Sequence, residues 1–441
     1  MRDDQAECKE RRKSFLKFIK GAVAVLPANP ENAAADNIKQ HPYRQESNLY
    51  YLTGFTEPKS IALLAPNSKQ PFQLFVRPRD KSKELWEGRI LGPEAAKTQF
   101  GADLCFPSTQ PQHFDDAFIQ AMQQADRLYY RLGIDDEMDR RIYRLLASAR
   151  DRLGRTGRPF WPIFDPDDVL SDMRQIKSKR EIEVLQISAN IGAEAHVTAM
   201  RSTKPGMFEY EVEAMLFHAF RMRGALTVSF PSIVASGPNA CVLHYVSNER
   251  QMTDKDLVLI DAGCLYEYSS SDITRCFPVS GRFSKEQKEI YQAVLTAQKA
   301  GIALARPGST MMRIHERVVE VLVEELKKLK LLKGPSKSII KNNEYLAYYP
   351  HRTGHWLGID THDVGRYYHG DYSNARKLAP GMVFTVEPGL YCQPIASTPA
   401  KYRGIGVRIE DDVVITQDGC KVLTSAVPKE IDEIEALCAQ A

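Results

Sequence analysis

Residues 257–279 read LVLIDAGCLYEYSSSDITRCFPV, two apolar runs that flank a short polar stretch. This pattern predicts a β-hairpin whose turn lies at Leu265 to Tyr268. Asp261 and Asp272 lie symmetrically about that turn, so we expect them to face each other across the hairpin. Two opposed carboxylates repel each other unless a cation neutralises them. The hairpin therefore indicates either a metal site or two solvated strand ends.

Two later strands carry a carboxylate where a core strand is expected to be apolar. Glu387 closes the apolar run MVFTV, and Glu410 lies within GVRIEDDVVIT, residues 406–416. Strand alternation places Arg408 and Glu410 on one face, and Asp411 with its apolar neighbours on the other. The polar face predicts either a functional site or an exposed edge strand.

A group of histidines favours the functional site. The stretch HRTGHWLGIDTHDVG, residues 351–365, sets histidines among glycines that permit close approach of backbone and ligand. These histidines are His351, His355 and His362. Four carboxylates and one imidazole form a possible ligand set: Asp261, Asp272, His355, Glu387 and Glu410. Two divalent cations would cancel the four negative charges, and oxygen-rich ligation favours Mn²⁺ or a similar ion over a thiolate-type zinc site.

The length of the chain predicts two domains, because 441 residues exceed the size at which one hydrophobic core stops growing. The segment PFWPIFDPDD, residues 159–168, has the proline and aspartate content of a junction. We predict a mixed α/β (α+β) fold, with an N-terminal domain at residues 1–173 and a C-terminal domain at residues 174–441. Short apolar runs such as IALLAP and FQLFV predict strands in the first domain.

Helical patterns occur in both domains. A helix-like stretch covers residues 115–126. In the second domain Ser178 followed by Glu181 predicts a capping box at a helix start. Apolar spacing predicts further helices at residues 209–223, 285–305 and 312–329.

The composition limits the binding partners and the cellular compartment that we expect for this protein. Lys and Arg number 59 against 56 Asp and Glu, and a formal charge of +3 gives no electrostatic basis for binding nucleic acid or an anionic membrane. No run reaches the ~20 apolar residues of a membrane span, and the N-terminus has no signal-peptide pattern. The eight cysteines form no C-x-x-C pair. We therefore expect a cytoplasmic protein that acts on small or neutral partners.

The segments that carry these residues resemble the proline-specific pita-bread metallopeptidases, aminopeptidase P and prolidase. The similarity to bacterial aminopeptidase P extends in order and spacing over most of the chain. It rests on PYRQESNLYYLTGF, LWEGRILGPEAA, IVASGPNACVLHY, LVLIDAG, SDITRCFPV, HWLGIDTHDVG, TVEPGLY and YRGIGVRIEDDVVIT.

The resemblance implies a creatinase-like N-terminal α/β domain and a pita-bread C-terminal domain whose curved antiparallel sheet holds two divalent ions, with Mn²⁺ favoured. It implies that Asp261 binds one ion, that His355 and Glu387 complete the other, and that Asp272 and Glu410 bridge both. The implied activity is removal of the first residue from peptides with proline second. We expect a hydroxide that bridges the ions to attack the scissile carbonyl.

The resemblance also suggests residues that contact the substrate. His244 and His362 would contact the substrate carbonyl and the tetrahedral intermediate, and His351 and Tyr391 would lie at the substrate pocket. Glu387 would transfer the proton to the departing proline nitrogen, while Arg408 would orient carboxylates. We expect a homo-oligomer, tetramer or dimer. In such an oligomer a neighbouring copy's residue equivalent to Trp86 would line the cleft.

Several positions depart from the family pattern. Ser269 to Ser271 replace small residues, Thr361 replaces an aliphatic one, and Asp36 is a candidate substrate contact in a poorly aligned segment. Prolidase, which accepts only Xaa-Pro dipeptides, remains the alternative activity. Methionine aminopeptidase is disfavoured because it usually lacks the N-terminal domain. A metal-free binding role is disfavoured because every ligand position is filled.

Overall fold

The computed structural model describes residues 2–30, 43–154, 161–370 and 373–439. Asp36, the candidate substrate contact, lies outside these ranges. The chain divides into two compact units, Met1–Met173 and Arg174–Ala441. Both units combine helices with strands, which confirms the mixed α/β fold expected from the sequence.

A mixed six-stranded sheet forms the centre of the first unit. Its strands are β1 (Ala22–Pro27), β2 (Ile61–Leu64), β3 (Phe72–Val76), β4 (Leu104–Pro107), β5 (Arg127–Tyr129) and β6 (Ile163–Phe164). They lie in the order β4-β3-β2-β1-β5-β6. Strand β2 runs antiparallel to β1 and β3, and the other pairs are parallel. Strands β1 and β3 are apolar along nearly their whole length because both of their faces are buried.

Helices precede, separate and follow these strands along the sequence. They are α1 (Arg2–Phe18), α2 (Ser47–Thr53), α3 (Lys81–Glu87), α4 (Gly92–Phe100), α5 (Pro111–Met122), α6 (Asp136–Leu153) and α7 (Asp167–Gln175). The helix predicted at residues 115–126 is α5. It begins four residues earlier because proline is favoured in the first helical turn, where its missing N–H has no partner to lose.

The second unit contains the four predicted helices and, within the described residues, two further short ones that were not predicted. They are α8 (Lys179–Ser202), α9 (Glu209–Met222), α10 (Lys285–Ile302), α11 (Met311–Lys328), α12 (Ser336–Lys341) and α13 (Ile431–Cys438). The predicted capping box is present: the Ser178 hydroxyl accepts the Glu181 N–H at 3.1 Å, and the Glu181 carboxylate accepts the Ser178 N–H at 2.9 Å. Among the described residues, no helix has the length and apolar character needed to cross a bilayer.

The strands of the second unit pair antiparallel in small sheets. They are β7 (Thr227–Val228), β8 (Ile233–Ser236), β9 (Leu257–Ala262), β10 (Cys264–Tyr266), β11 (Ser269–Ser270), β12 (Ile273–Pro278), β13 (Val383–Val386), β14 (Gly389–Cys392), β15 (Ile405–Arg408), β16 (Asp411–Ile415) and β17 (Cys420–Val422). The orders are β11-β10-β7, β12-β9-β8, β13-β16-β17 and β14-β15.

The main apolar core of this unit joins helices α8 to α11 with strands β8, β9 and β12. Val212 on α9, Ile260 on β9 and Val294 on α10 are fully buried members of one cluster. Burying such a side chain stabilises the fold by about 1.5–3 kcal/mol. Alternation along β9 turns Asp261 to the face opposite Ile260, so one face of the strand packs in the core while the other can carry a site.

The structure corrects the predicted register of the hairpin. Its tight turn is formed by Glu267 and Tyr268, both with positive φ, which suits a two-residue hairpin loop. That turn sets the pairing, so Asp261 lies opposite Thr274 rather than opposite Asp272. Asp272 shares the face of Thr274 by alternation, and the two aspartates are therefore diagonal neighbours on one face.

Candidate metal centre

Asp261 and Asp272 lie on the central hairpin of the second unit. Asp261 sits on β9, which is paired on one side with β12 and on the other with β8. Asp272 comes directly before β12 and is 4 % exposed. Because the strands on both sides fix β9, the position of the Asp261 carboxylate is set by the sheet.

Glu387 and Glu410 occupy the breaks between consecutive strands. Glu387 separates β13 from β14, and Glu410 separates β15 from β16. The backbone N–H of Glu387 donates to Thr353 O at 2.8 Å, and that of Glu410 donates to Thr274 O at 3.1 Å. On one side of these two residues β13 pairs with β16, and on the other side β14 pairs with β15. Strand pairing on both sides therefore fixes the backbone that carries the two carboxylates.

His355 presents one ring nitrogen to these carboxylates. Its Nδ1 lies 3.1 Å from Trp356 O, and a carbonyl can only accept, so Nδ1 carries the hydrogen. The other nitrogen, Nε2, lies 3.3 Å from Asp272 Oδ2 and 3.8 Å from Glu387 Oε1. One ligand atom from each of Asp272, His355 and Glu410 lies within 4.8 Å of the others. A bare Nε2 among carboxylate oxygens is a donor set that suits a divalent cation.

Two observations show that the cluster fits metal ions. Within the described chain, Oδ1 of Asp261 and Oδ1 of Asp272 are buried without a hydrogen-bond partner. Burial and neighbouring carboxylates raise the pKa of both Asp272 and Glu410 well above the ordinary range, and burial raises the pKa of Glu387 to about 8. Divalent cations would pair with the orphaned oxygens and reverse these shifts.

Arg408 joins three residues of this site. Its Nη2 donates to Asp261 Oδ2 at 2.6 Å, its Nη1 to the Tyr391 hydroxyl at 2.8 Å, and its Nε to the Thr274 hydroxyl at 3.1 Å. The Thr274 hydroxyl then donates to Glu410 Oε2 at 2.7 Å. Arg408 and Glu410 thus share the polar face. The positive guanidinium reduces the net charge of the site from minus four, for the four carboxylates, to minus three.

His351 and Tyr391 lie beside this network. His351 Nδ1 donates to Arg352 O at 2.7 Å, so its Nε2 accepts the hydrogen of the Tyr391 hydroxyl at 2.8 Å. Burial, followed by the charge of Arg408, lowers the pKa of His351 to about 4. His351 is therefore neutral, and both of its ring nitrogens are already engaged.

His362 lies next to His355, and a buried ion cluster anchors the residue that follows it. The two rings meet edge to face, with centroids 4.4 Å apart. The following residue, Asp363, binds Arg174 Nη2 at 2.5 Å and Lys177 Nζ at 3.0 Å, and all three side chains are at most 2 % exposed. This buried ion cluster fixes the backbone directly after His362.

His244 stands on an exposed, irregular segment that follows the short 3-10 helix Gly237–Cys241. That short helix packs closely on β15: a Cβ at Gly406 would lie 2.1 Å from Ala240 O, so only glycine fits there. Trp86 lies on α3 of the first unit, where it is 85 % exposed. Neither side chain belongs to the carboxylate cluster described above.

The serines and the threonine that depart from the family pattern bond to nearby backbone and cysteine. Ser271 Oγ accepts the Cys264 N–H at 3.1 Å, and Ser270 Oγ donates to Ile359 O at 3.3 Å. Thr361 Oγ1 donates to Ser229 O at 3.3 Å. These hydroxyls tie together the loops around the site.

Comparison with known proteins identifies a metallopeptidase family, in agreement with a candidate metal site in the second unit. The profile of metallopeptidase family M24 matches residues 183–417, and that of the aminopeptidase P N-terminal domain matches residues 8–129. The chain belongs to family M24. Its second unit is accordingly a pita-bread domain, and its first carries the N-terminal domain of aminopeptidase P.

Relatives match this M24 chain over nearly its whole length. The Xaa-Pro aminopeptidase of Escherichia coli K12 is 40% identical, with 98% of this chain and 97% of that protein covered. The structure of Pseudomonas aeruginosa aminopeptidase PepP has a TM-score of 0.94 and 43% identity, with 99% and 98% covered. Zinc-substituted Escherichia coli aminopeptidase P in complex with product has a TM-score of 0.92 and 40% identity, with 99% and 98% covered.

Sequence reasoning did not identify Thr274 or the ion cluster behind His362. The signal for Thr274 was available, because it follows Asp272 by two residues and strand alternation puts both on one face. The cluster gave no such signal, because Arg174 and Lys177 are more than 180 residues away from Asp363. Only the fold brings them together.

His196 on α8 supports strand β9 from its core side. Its Nε2 donates to Ala262 O at 3.1 Å, and in the described chain its Nδ1 has no partner. The side chain is fully buried, and burial lowers the pKa of His196 from 6.5 to about 4. The folded protein thus keeps this imidazole neutral where the unfolded chain would protonate it.

We expect the free energy of unfolding to fall by about 3 kcal/mol through His196 as the pH drops from about 6.5 to about 4. The depressed pKa sets this sign, because between those values the unfolded chain binds the additional proton. His196→Gln retains a donor to Ala262 O. It should remove this pH-dependent fall in the free energy of unfolding, measured by denaturant unfolding from pH 4 to 7. His218→Gln, at an exposed histidine, is the control. Identical pH dependence in wild type and His196→Gln would contradict the assignment.

Proposed function

We propose that this M24 protein is a metal-dependent Xaa-Pro aminopeptidase, which releases the first residue of peptides whose second residue is proline. The observation that carries the proposal is one buried site in which Asp272, Glu387 and Glu410 lie near the free Nε2 of His355. Asp261 is joined to Glu410 through Arg408 and Thr274. Full-length similarity to the Escherichia coli enzyme supports the proline-specific activity.

The five predicted ligands would hold two divalent cations: Asp261, Asp272, His355, Glu387 and Glu410. Such ions supply Lewis acidity, polarise the scissile carbonyl and lower the pKa of water so that a nucleophile is available at neutral pH. Oxygen-rich ligation supports Mn²⁺ as the ion. The zinc-substituted relative indicates that a site of this kind also accepts zinc, so the choice of ion depends on metal supply as well as on geometry.

Glu387 is our candidate for proton transfer. A carboxylate among the proposed metal ligands is placed to accept a proton from water and to release it to a leaving group. Its carboxylate lies 3.9 Å from His351 Nδ1 and 3.8 Å from His355 Nε2. We infer that it accepts a proton from water and delivers it to the proline nitrogen. That nitrogen carries no hydrogen in the peptide and must gain one to leave.

His362 and His244 are the candidates for stabilising negative charge on the reacting carbonyl. A well-placed donor to an oxyanion typically lowers the barrier by about 3 kcal/mol. The contact of His362 with the His355 ring supports its role at the reacting carbon. His244 is exposed, as expected for a side chain that meets the substrate rather than the protein.

Arg408, Tyr391 and His351 would shape the substrate side of the site. The chain of hydrogen bonds from Arg408 through Tyr391 to His351 orients the Tyr391 hydroxyl and the His351 ring. We propose that His351 contacts the substrate near proline. Arg408 would also hold Asp261 in position for its ion.

Cleavage of three peptides tests the proposed function. Purified protein with and without added Mn²⁺ is incubated with Arg-Pro-Pro, Ala-Pro and Ala-Ala-Ala, and the products are identified by mass spectrometry. We expect metal-dependent release of Arg from Arg-Pro-Pro and no cleavage of Ala-Ala-Ala. Cleavage of Ala-Pro alone would indicate prolidase. No cleavage with metal bound would reject the peptidase activity in favour of a binding role.

We predict that Glu387→Gln keeps the fold and some bound metal but loses nearly all turnover, because an amide cannot carry the proton to the leaving nitrogen. Metal content by elemental analysis and steady-state kinetics on Arg-Pro-Pro would measure the two effects. A variant with normal metal content and wild-type kcat would reject this role for Glu387.

We also propose a homo-oligomer in which Trp86 reaches the substrate cleft of a neighbouring copy. Helix α3 supports this proposal, because it buries none of its own side chains and leaves Leu85 and Trp86 more than 80 % exposed. Trp86→Ala should raise KM for longer peptides more than for dipeptides, with Leu85→Ala as the control. Unchanged kinetics for every peptide length would argue against the contact.

The cytoplasm remains the proposed compartment, and Met173 the proposed domain boundary. None of the eight cysteines, all of which lie in the described residues, forms a disulfide, and most of them are buried, as expected for a protein that folds in a reducing environment. The separation into the units Met1–Met173 and Arg174–Ala441 supports the boundary.

A further inference from the structure

Glu209, the first residue of α9, is a buried carboxylate that the proposed mechanism does not use. It is 0 % exposed. Its Oε1 accepts the Ser236 N–H at 2.7 Å, the Ser236 hydroxyl at 2.7 Å and the Asn239 side-chain amide at 3.2 Å. Its Oε2 accepts the Tyr245 hydroxyl at 2.8 Å and the Arg250 N–H at 2.9 Å. A full set of donors explains why this carboxylate can be buried with no ion pair to any described residue.

All five donors belong to residues 236–250, the segment that carries His244. Residues 242–250 of this segment form no helix or strand. Because the segment lacks a backbone ladder of its own, its shape depends on hydrogen bonds to neighbouring residues. Glu209 supplies the acceptors at both ends of the segment, at Ser236 and at Arg250. It also binds Tyr245, the residue directly after His244.

A second anchor ties the same segment to strand β8. Asn248 is fully buried with φ of 50°, a backbone conformation that asparagine tolerates better than most residues. Its Nδ2 donates to Ser232 O at 2.9 Å, and its Oδ1 accepts the Val234 N–H at 3.0 Å. Strand β8 pairs directly with β9, where Ile233 lies opposite Asp261. The segment is therefore held to β8, which lies next to β9, the strand that carries the proposed ligand Asp261.

We propose that Glu209 is a positioning residue that fixes His244 relative to the metal centre. His244 itself is exposed, so its place is set by its backbone and by Tyr245 rather than by packing of its ring. The inference rests on the proposed function in one respect, the role of His244 at the substrate carbonyl. Glu209 touches no substrate and acts only through the segment that it holds.

A double-mutant cycle tests this coupling. Glu209→Gln keeps the size of the side chain but replaces one acceptor oxygen with an NH₂ group, which cannot accept the backbone N–H that faces it, from Arg250 or from Ser236. We expect it to lower kcat/KM on Arg-Pro-Pro by about 10- to 100-fold, mainly through kcat. In a His244→Ala background the same substitution should change kcat/KM by less than about twofold, because the residue it positions is absent.

Tyr245→Phe provides a second variant, so the cycle can be completed if Glu209→Gln does not fold. It removes the hydroxyl that donates to Glu209 and accepts the Glu249 N–H at 3.3 Å. Glu435→Gln is the matched control: Glu435 is also buried and accepts a backbone N–H, from Phe283 at 3.0 Å, but lies on α13. It should leave kcat/KM unchanged. An equal loss from Glu209→Gln with and without His244, or no loss at all, would overturn the inference.

An NMR measurement separates this inference from the proposed activity. The Cε1–H signal of His244 in ¹³C-histidine-labelled protein is assigned by its disappearance in His244→Ala. We expect Glu209→Gln to shift or broaden that signal, and Glu435→Gln to leave it in place. An unchanged signal in Glu209→Gln overturns the positioning role even in a protein without peptidase activity. Wild-type kcat/KM in His244→Ala instead rejects the role of His244.

Discussion

The mutual repulsion of carboxylates buried on one face of the second unit is the constraint on which the rest of the structure depends. Asp272 and Glu410 are almost inaccessible to water. Burial raises the pKa of both groups, and so do neighbouring carboxylates: Glu410 and Asp261 act on Asp272, and Glu387 and Asp261 act on Glu410. A protein gains nothing from such an arrangement unless cations occupy it, because buried like charges destabilise a fold. Bound metal ions would therefore explain why these strands carry acids where a core would carry apolar residues.

Fixed backbone and buried partners position the side chains around that centre. Glu387 and Glu410 project from breaks between strands, and Arg408 reaches Asp261 and, through Thr274, Glu410. Buried charged groups hold the backbone near both candidate catalytic histidines. Asp363 directly follows His362, and Glu209 binds the segment that carries His244. A site that must place several groups within fractions of an ångström requires this support.

Much of this arrangement could be predicted from the sequence. Alternation placed Arg408 and Glu410 on one face, and the capping box at Ser178 located the start of α8. The opposition of Asp261 and Asp272 was wrong, because the left-handed turn residues are Glu267 and Tyr268 and they shift the pairing. Contacts between distant segments, such as Glu209 with Tyr245, could not be predicted, since no local pattern records which buried groups will meet.

Anomalous diffraction from crystals grown with Mn²⁺ tests the central claim most directly. Data collected above and below the manganese absorption edge locate the ions without reference to activity. The account predicts two peaks about 3.5–4 Å apart, bound by the carboxylates of the central cluster and by Nε2 of His355. Crystals that show no manganese peak at these residues, or peaks only elsewhere on the chain, would contradict it.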